Sequence, residues 1–403
     1  MKQKVDAYGW KALLGSAVGY AMDGFDLLIL GFMLTAISSD LLLTPAQAGS
    51  LVTWTLIGAV AGGIIFGALS DRFGRIRVLT WTIVLFAVFT GLCAFAQGYW
   101  DLLIYRTIAG IGLGGEFGIG MTLAAEAWPA RHRARASAYV ALGWQIGVLA
   151  AALLTPALLP HIGWRGMFLV GIIPAFVAWY LRSHLHEPEI FVQKQNSQTQ
   201  TSLFTSFKQL IKDKATTKVS LGVVVLTSVQ NFGYYGIMIW LPNYLSKQLG
   251  FSLTKSGLWT AATILGMMFG IWLFGQLADR IGRKPSFLLF QLGAIISVVL
   301  YSQLTTPELM LIVGAFLGMF VNGMMGGYGA LMSEAYPTKA RATAQNVLFN
   351  LGRAVGGFGP VVVGALVATY SFKFAIAFLA LIYFIDMLAT LFLIPELKGK
   401  VLE

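Results

Sequence analysis

The stretch Gly67-Ala68-Leu69-Ser70-Asp71-Arg72-Phe73-Gly74-Arg75 occurs a second time, as Gly275-Gln276-Leu277-Ala278-Asp279-Arg280-Ile281-Gly282-Arg283. The two copies lie 208 residues apart in a chain of 403 residues. The same shift carries Glu126, Pro129 and Arg133 onto Glu334, Pro337 and Arg341. The chain is therefore predicted to consist of two halves that repeat in register. Membrane transporters are commonly built in this way, with the binding site between the halves.

Composition indicates a membrane protein, because 57% of the residues are hydrophobic and only 11% are charged. Apolar runs of about 20 residues, the length that crosses a bilayer, follow one another along the chain. They predict an all-α integral membrane protein with twelve transmembrane helices in two six-helix pseudo-symmetric bundles. The spans are expected at residues 12–37, 47–69, 78–97, 101–126, 136–160, 165–183, 219–246, 254–277, 285–304, 308–332, 342–368 and 373–394.

The domain organisation follows from the same pattern. We expect an N-terminal bundle at residues 1–183, a cytoplasmic linker at 184–218 and a C-terminal bundle at 219–403. The linker is recognised by its polar composition, including the Gln/Ser/Thr cluster of residues 193–201. The first span is preceded by Lys2 and Lys4, is too long for a signal peptide and has no small-residue cleavage site, so it is expected to be retained.

The net charge of +11 does not indicate nucleic-acid binding, because the basic residues alternate by loop. The amino terminus, the even-numbered loops and the carboxyl terminus hold 22 of the 28 Lys and Arg residues. The remaining six are four in the opposite loops (Arg165, Lys247, Lys255, Lys373) and two within spans (Arg106, Arg353). By the positive-inside rule, both termini are expected to be cytoplasmic. We therefore expect a multi-pass protein of a bacterial-type inner membrane, with the lipid bilayer as its surroundings, no nucleic-acid partner and a monomeric state.

The repeated stretch lies in the loops between spans two and three and between spans eight and nine. Its glycines allow a tight turn and a close approach of helices. Its Asp can accept hydrogen bonds at a helix start, and its Arg residues can pair with acids at neighbouring helix ends. Glu126 and Glu334 each end the fourth span of their half and are the expected acidic partners.

Two copies of G-x-L-x-D-R-x-G-R, twelve spans and a central polar linker together resemble the major facilitator superfamily, over essentially the whole chain. In that superfamily this loop helps to close the cytoplasmic side during alternating access. The resemblance implies a cytoplasmic gate that contains Asp71, Arg72, Arg75, Glu126, Asp279, Arg280, Arg283 and Glu334. The first copy departs slightly from the family pattern, because Ile76 follows Arg75 where a basic residue often stands.

Narrower resemblances point to the class of substrate. Asp23-Gly24-Phe25-Asp26 resembles the D-G-x-D signature of the aromatic acid:proton symporters. Residues 114–118 (Gly-Gly-Glu-Phe-Gly) and 126–129 (Glu-Ala-Trp-Pro) resemble the fourth span of the sialate:proton symporters, which include sialic acid and lactate permeases. Glu187-Pro188-Glu189 and the segment 395–399 are similar to the ends of the two halves of sugar porters. These resemblances imply proton-coupled uptake of a polar metabolite, with the proton gradient as energy source and no cofactor.

Ionisable residues inside spans are functional candidates, since each costs about 2.5 to 3.5 kcal/mol on insertion scales. Depth in the membrane can be estimated from the helical rise of about 1.5 Å per residue. It places Asp23, Glu116 and Arg353 near the midplane, and Arg106 level with Asp26 or outside it. Asp23 and Asp26 are three residues apart and share a helix face. The full set is Asp23 and Asp26 in span one, Arg106 and Glu116 in span four, Arg353 in span eleven and Asp386 in span twelve.

These positions suggest a mechanism. Arg353 is the one cation expected at the midplane, and a guanidinium binds a carboxylate through two parallel hydrogen bonds. The substrate is therefore expected to be a small organic anion. Burial and mutual repulsion disfavour charged carboxylates, so one of Asp23, Asp26 and Glu116 is expected to carry a proton near neutral pH.

Structural roles remain open for each charged candidate. Arg106 begins a segment that resembles the superfamily's fourth-span motif, in which the Arg is associated with proton coupling, but it can equally form a structural ion pair with Asp26. Glu116 can carry a proton or serve as a structural hydrogen-bond partner. Arg353 can bind substrate or pair with an acid of another span. For Asp386, in a span that is peripheral in this superfamily, a packing role is favoured.

Uncharged polar and aromatic residues complete the expected substrate site. The shift of 208 places Asn231 on Asp23 and Tyr234 on Asp26, so the second half has neutral groups where the first has acids. The spacing of Asn346, Asn350 and Arg353 places them on one helix face. The expected substrate-binding residues are Trp144 and Gln145, Gln230, Asn231, Tyr234 and Tyr235, Asn322, and Asn346, Phe349, Asn350 and Arg353.

The leading hypothesis is a proton-coupled symporter for a monocarboxylate, a sugar acid or an aromatic acid. A drug or metabolite proton antiporter is an alternative, although residues 143–160 lack the Gly-Pro pair of the antiporters' fifth span. A membrane solute sensor is another, although no appended soluble domain is present in the sequence. No metal cluster, nucleophile with a paired base or phosphate-binding loop indicates an enzyme, and the single Cys93 cannot form an internal disulfide.

Overall fold

The computed structural model describes residues 5–196, 203–250 and 253–399, in which helices are joined by short loops and no strand occurs. The predicted all-α class is thereby confirmed. Lys2 and Lys4, the second part of the Gln/Ser/Thr cluster and the last four residues lie outside the described part of the chain.

Seventeen α-helices make up the described residues, with short 3-10 turns at Ala130–His132 and Met324–Gly326. In the first half they are α1 (Ala7–Leu41), α2 (Pro45–Phe73), α3 (Arg75–Cys93), α4 (Tyr99–Gly114), α5 (Glu116–Ala127), α6 (Arg133–Gly171) and α7 (Ile173–Ser183). Two short helices follow in the expected linker, α8 (Glu189–Asn196) and α9 (Leu203–Gln209). In the second half they are α10 (Lys214–Leu249), α11 (Leu253–Ile281), α12 (Arg283–Gln303), α13 (Pro307–Gly323), α14 (Tyr328–Ala335), α15 (Arg341–Gly356), α16 (Gly359–Thr369) and α17 (Phe372–Leu393).

Among the described residues, ten helical segments are long and apolar enough to cross a membrane. The two remaining expected spans correspond to α10 and to the pair α15 and α16, which is interrupted at Gly357 and Phe358. The expected fourth and tenth spans are also interrupted, at Gly115 and at residues 324–327. Both interruptions fall within glycine clusters, which have low helix propensity. The shift of 208 carries Gly115 onto Gly323, the residue directly before the second interruption, so the repeat extends closely to the irregularities of the helices.

The expected fifth and sixth spans are two separate apolar segments, Ala130–Thr155 and Ala157–Ser183. Within α6 the two helices join at Gly163, whose φ of 65° lies in the left-handed region that glycine adopts readily. A second break at Ile172 separates α6 from α7. The sequence placed the boundary correctly near residue 163 but did not predict the second break.

Two groups of helices meet along two long contacts. Within the first half, α1 packs on α6 and α2 on α4, while in the second half α11 packs on α13 and α12 on α17. The halves touch where α6 meets α11 and where α15 meets α2 and α5. We call the end of the molecule that carries residues 71–75 and 279–283 the motif end.

Small residues allow the α1–α6 contact to be close. At Gly147 of α6 an added Cβ would lie 1.9 Å from the carbonyl oxygen of Ala21 in α1, and at Gly143 it would lie 2.2 Å from that of Ala17. Glycines four residues apart let two helix backbones approach in this way. The contact brings α1 and α6 together at the level of Trp144.

Replacing Gly147 by Ala should lower stability, because the new methyl group meets backbone atoms and the helices have to separate. Overpacking of this kind costs about 1–3 kcal/mol, which would be seen as a lower melting temperature of the purified protein in detergent. Gly31→Ala is the matched control, since no atom lies within 4 Å of the position of its Cβ. Equal melting temperatures for the two variants would contradict the close α1–α6 contact.

Candidate functional site

A cavity lies between the two halves. Helices α1 and α6 line it from the first half, and α10, α15 and the region of the tenth span line it from the second. Its lining residues are Tyr20, Ala141, Trp144, Gln145, Gln230, Asn231, Tyr234, Tyr235, Asn322, Met325, Phe349 and Arg353. Most of the residues expected at a substrate site are therefore brought together here.

Hydrogen bonds and ring contacts order the cavity wall. The indole Nε1 of Trp144 donates to the Tyr234 hydroxyl at 3.3 Å, across the two halves. The Gln230 amide donates to Asn322 Oδ1 at 2.7 Å. Tyr20 packs against Trp144 with ring centroids 5.3 Å apart. Five of the twelve lining residues are aromatic and four are Asn or Gln, so the wall combines flat apolar faces with side-chain amides.

Arg353 places a cation at this wall. Its guanidinium carbon lies 5.5 Å from the ring centroid of Trp144 and 5.7 Å from that of Phe349, so it rests over one ring from each half. Cation–π contacts of this type hold a guanidinium in place without neutralising its charge. Its Nε is buried and has no hydrogen-bond partner in the described part of the chain. The side chain also interacts electrostatically with Tyr235 and Asp23. Donors thus remain for an anion in the cavity.

Asp26 and Arg106 form an ion pair. Arg106 donates to the two carboxylate oxygens at 2.9 Å and 2.7 Å and to Thr55 Oγ1 at 3.3 Å. Both side chains are fully buried. This bidentate geometry corresponds to the structural pairing that the sequence left open, and it satisfies both charges.

Glu116 is also paired, with a residue that the sequence did not single out. Arg182, near the end of α7, donates to its two oxygens at 3.1 Å and 2.6 Å, and the Thr82 hydroxyl donates at 2.8 Å. Arg182 further donates to the carbonyl of Gly15 at 3.0 Å. From the sequence, Arg182 is grouped with the loop residues, because it lies at the end of an expected span. Its long side chain could have indicated a buried role, since it can reach about one helical turn inward.

Of the three acids Asp23, Asp26 and Glu116, Asp23 alone has no described charged residue in contact with it. It is 2% exposed, and its Oδ1 is buried without a hydrogen bond from any described residue. It does not line the cavity itself, but it lies one helical turn from Tyr20, which does. Its electrostatic neighbours include Glu116 and Arg353.

Asn346 and Asn350 are not among the lining residues. An added Cβ at Gly118 would lie 2.4 Å from the Asn346 side chain, and one at Gly63 would lie 2.1 Å from that of Asn350. The two amides donate to backbone carbonyls of α15 at 3.0 Å and 2.8 Å. The shared helix face continues from the cavity into the contact between α15 and the first half, so only Arg353 of the three reaches the cavity.

At the motif end, the Asp of each repeated stretch caps a helix of the other half. Asp71 accepts hydrogen bonds from the Thr343 N–H at 2.8 Å and its hydroxyl at 2.6 Å, at the start of α15. Asp279 accepts from the N–H groups of Ala134 at 3.1 Å and Arg135 at 3.2 Å, at the start of α6. Carboxylates are stabilised at helix N-termini by the free N–H groups and the helix dipole.

Two glutamates connect the halves in the same reciprocal way. Glu126 binds Arg75 of its own half at 3.1 Å and Arg341 of the other half at 2.6 Å. Glu334 binds Arg283 at 2.7 Å and Arg133 of the first half at 3.2 Å. The sequence identified Arg133 and Arg341 as repeated but did not assign them to the gate. The motif end is therefore closed by buried ion pairs.

The remaining motif residues lie at the edge of this network. Arg72 stacks over Phe73 at 5.2 Å, and Arg280 is exposed, with its carbonyl accepting from Lys398 at 2.6 Å. Glu187 accepts from the N–H groups of Arg75, Ile76 and Arg77 at 2.7 to 3.1 Å and so caps α3. Burial raises the pKa of Glu187 above its usual range, while those backbone donors counteract the shift. Glu396 caps α12 in the same way.

No group of three or more His, Cys, Asp and Glu side chains within the described ranges is arranged to hold a metal ion.

The amino-acid sequence is similar to those of known membrane transport proteins. The model of the Major Facilitator Superfamily matches residues 16–301 and again residues 223–402. A Haemophilus influenzae protein named "Putative metabolite transport protein" is 82% identical over 100% of both chains. The probable 4-methylmuconolactone transporter of Cupriavidus pinatubonensis is 33% identical over 96% of this chain and 90% of its own, and the cis,cis-muconate transport protein of Acinetobacter baylyi is 30% identical over 95% and 94%.

A solved structure shows the same fold. It is that of a proton:xylose symporter bound to 6-bromo-6-deoxy-D-glucose, with a TM-score of 0.83 and 21% identity over 99% of this chain and 98% of its own. At this identity the likeness concerns the arrangement of the helices alone.

Asp71→Asn should weaken the closure of the motif end, because it removes the charge that caps α15 across the halves. A hydrogen bond to a charged group contributes about 1.5–3 kcal/mol, so the ratio of closed to open molecules should fall about tenfold to a hundredfold. Spin labels at the exposed positions Arg77 and Arg280 would report a longer or broader distance distribution by pulsed electron resonance.

Asp213→Asn is the matched control for that measurement. Asp213 also caps a helix at this end, accepting from Thr216 N–H at 2.8 Å, but it does so within its own half. Its distance distribution should equal that of the wild type. An unchanged distribution in the Asp71 variant would show that the cap does not hold the halves together.

Proposed function

Because this chain is a transporter that belongs to the major facilitator superfamily, we propose that it takes up a small organic acid anion together with a proton by alternating access. The observation that carries the proposal is Arg353, a buried cation at the wall of the cavity between the halves. Its charge is held over two aromatic rings and not by a carboxylate in contact with it. A substrate carboxylate would complete this pairing.

The aromatic wall favours one subclass of acid. Tyr20, Trp144, Tyr234, Tyr235 and Phe349 offer flat apolar faces around Arg353, and such faces bind planar groups by stacking. The same wall also carries four side-chain amides, which can form hydrogen bonds with a further polar group of the substrate. We therefore propose an unsaturated or aromatic carboxylate as substrate. The names of the relatives, which include cis,cis-muconate and 4-methylmuconolactone transporters, support this subclass.

We assign the transported proton to Asp23. Asp26 is neutralised by Arg106 and Glu116 by Arg182, through two hydrogen bonds each. Asp23 has no such partner, and a buried carboxylate without one is costly. A proton removes that cost, and the electrostatic link between Asp23 and Arg353 would let the arrival of an anion change the balance. Arg106 would then act on coupling only by holding Asp26.

The orientation follows from the distribution of basic residues. We propose that the motif end faces the cytoplasm of a cell with a bacterial-type inner membrane, that both termini lie on that side, and that a monomer suffices, since each half supplies part of the cavity. The closed motif end then corresponds to a molecule whose cavity is shut off from the cytoplasm. Residues 71–75 and 279–283 would open and close that path as the cytoplasmic gate.

Uptake by proteoliposomes tests these assignments. Vesicles that contain the purified protein and have an acidic outside should accumulate cis,cis-muconate or benzoate and should discriminate against sialic acid. Accumulation that ignores the proton gradient would exclude symport. Accumulation only when the inside of the vesicles is acidic, so that protons leave as the substrate enters, would support an antiporter. Binding without uptake would support a solute sensor.

Arg353→Ala should weaken binding of the carboxylate by at least about thirtyfold, because loss of one partner from a buried charge pair costs about 2 kcal/mol or more. Arg353→Lys keeps the charge but loses the planar fork, so an intermediate loss is expected. Isothermal titration with the acids of the transport panel measures both. Arg165→Lys, at an exposed ion pair with Asp40, is the control and should bind as the wild type does; unchanged binding by Arg353→Ala would remove the anion site from this wall.

Asp23→Asn should leave substrate exchange across the membrane intact and abolish proton-driven accumulation of the substrate. The variant keeps the size of the side chain and loses no ion pair, so it should fold and exchange internal for external substrate. It should no longer accumulate substrate against a gradient when the outside is acidic. Asp26→Asn should instead lower the melting temperature, since it leaves Arg106 buried without its partner. Proton-driven accumulation by Asp23→Asn at the wild-type level would move the proton site elsewhere.

A further inference from the structure

Each half of the molecule buries a carboxyl group in the interior of its own helices, away from the cavity. In the first half this group is Glu116, held by Arg182 and Thr82. In the second half it is Asp386 of α17, which is 0% exposed. The shift of 208 carries Arg182 onto Thr390, and Gln291 stands one residue beyond the position of Thr82. The two carboxyls thus occupy comparable places, but only the first has an arginine.

Asp386 has polar neighbours that leave its charge without compensation. Neither of its oxygens accepts a hydrogen bond from a described residue. Gln291 lies beside the carboxyl, but its amide nitrogen donates to Thr390 Oγ1 at 2.7 Å. Its Oε1 is buried without a partner, as is the hydroxyl of Tyr383, one helical turn before Asp386. Four buried oxygen atoms in this region therefore have no hydrogen-bond partner among the described residues.

The helices around Asp386 bring no cation to it within the described ranges. Helix α12 contributes Gln291, and its Lys284 binds the carbonyl of Leu391 near the end of α17 at 2.7 Å. Helix α14 contributes Tyr328, whose hydroxyl donates to the Leu226 carbonyl at 3.1 Å. The described charged residues of α10 are Lys214 and Lys218 at its first turns, and α16 has none.

A carboxylate in this setting would be strongly destabilising, since burial of an ion without a counter-ion costs several kcal/mol. A bound alkali-metal ion would need more oxygen ligands than Gln291 and Tyr383 supply beside the carboxyl group. A proton on the carboxyl group needs only one hydrogen-bond acceptor. An Asp386 O–H that donates to Gln291 Oε1 removes the charge and satisfies two of the four oxygens at once.

We propose that Asp386 is a second proton-binding site, in which a proton taken from solvent neutralises the second half as Arg182 neutralises the first. The carboxylate oxygen gains the proton and donates it in a hydrogen bond to Gln291 Oε1. This proton is distinct from the one that crosses with the substrate, because Asp386 lies outside the cavity wall. The site is occupied throughout the neutral pH range.

Thermal unfolding as a function of pH tests the proposal with Asp386→Asn, which mimics the neutral acid in shape. The unfolded chain releases the proton above about pH 4, whereas the folded chain keeps it. The unfolding equilibrium of the wild type should therefore lose up to tenfold per pH unit between about pH 4 and the pH at which the folded acid ionises. The variant has no such loss, so its melting temperature should rise relative to the wild type from pH 5 to pH 8.

Glu116→Gln is the matched variant in the first half. It leaves Arg182 buried without its counter-charge, so it should be less stable than the wild type at every pH. A loss of the same kind in Asp386→Asn, constant over pH, would show that Asp386 is charged and would overturn the proposal. Stabilisation of the wild type by sodium chloride over choline chloride, absent in the variant, would indicate a metal ion and would also overturn it.

A second measurement applies if Asp386→Asn does not fold. Infrared spectra of Asp23→Asn protein that contains ¹³C-labelled aspartate should still show the carbonyl stretch of a neutral carboxylic acid at pH 7. Because Asp23 is absent from this sample, the band does not depend on the transported proton. Its absence would overturn the proposal for Asp386 and leave the proposed function untouched.

Discussion

A charge that leaves water for the interior of a helical membrane protein has to be neutralised there. This constraint sorts the buried ionisable residues into two classes. Asp26 with Arg106 and Glu116 with Arg182 are closed pairs, each joined by two hydrogen bonds. Asp23, Arg353 and Asp386 have no ion pair of this kind among the described residues. The closed pairs hold helices together, and the open residues are where a proton or an anion would be taken up.

The motif end obeys the same constraint in a form that can be reversed. Glu126 and Glu334 each bridge an arginine of their own half and one of the other. The own-half partner stays when the halves separate, so each glutamate keeps one counter-charge. The helix starts that Asp71 and Asp279 cap would be exposed to water at the same time, and water can then satisfy their N–H groups. Closure can therefore be lost while each of the two glutamates keeps a counter-charge.

The fold could be predicted from the sequence because its signals are long and repeated. Apolar runs and the shift of 208 predict the helices and their division, and the same shift relates the polar residues of α10 to the acids of α1. The depth of a residue in the membrane does not show towards which neighbour its side chain points. Asn346 and Asn350 lie on the face of Arg353 but meet Gly118 and Gly63 instead of the cavity. Arg182 was missed because position in a span describes the Cα atom, whereas a guanidinium acts about one helical turn away from it.

The most informative disagreements within the repeat concern the cavity itself. The shift of 208 relates Asp23 to Asn231 and Gln145 to Arg353, so each half places one charged and one neutral polar residue at these two positions. The acid stands in the first half and the cation in the second. If Asp23 carries the proton and Arg353 binds the anion, as proposed, the two groups belong to different halves: Arg353 lines the cavity, and Asp23 lies one helical turn from Tyr20 in its wall. Any change in their separation alters the attraction between Asp23 and Arg353, and with it the preference of Asp23 for its proton. A strictly symmetric pair of halves would have placed like charges against each other and would have had no such link between proton and substrate.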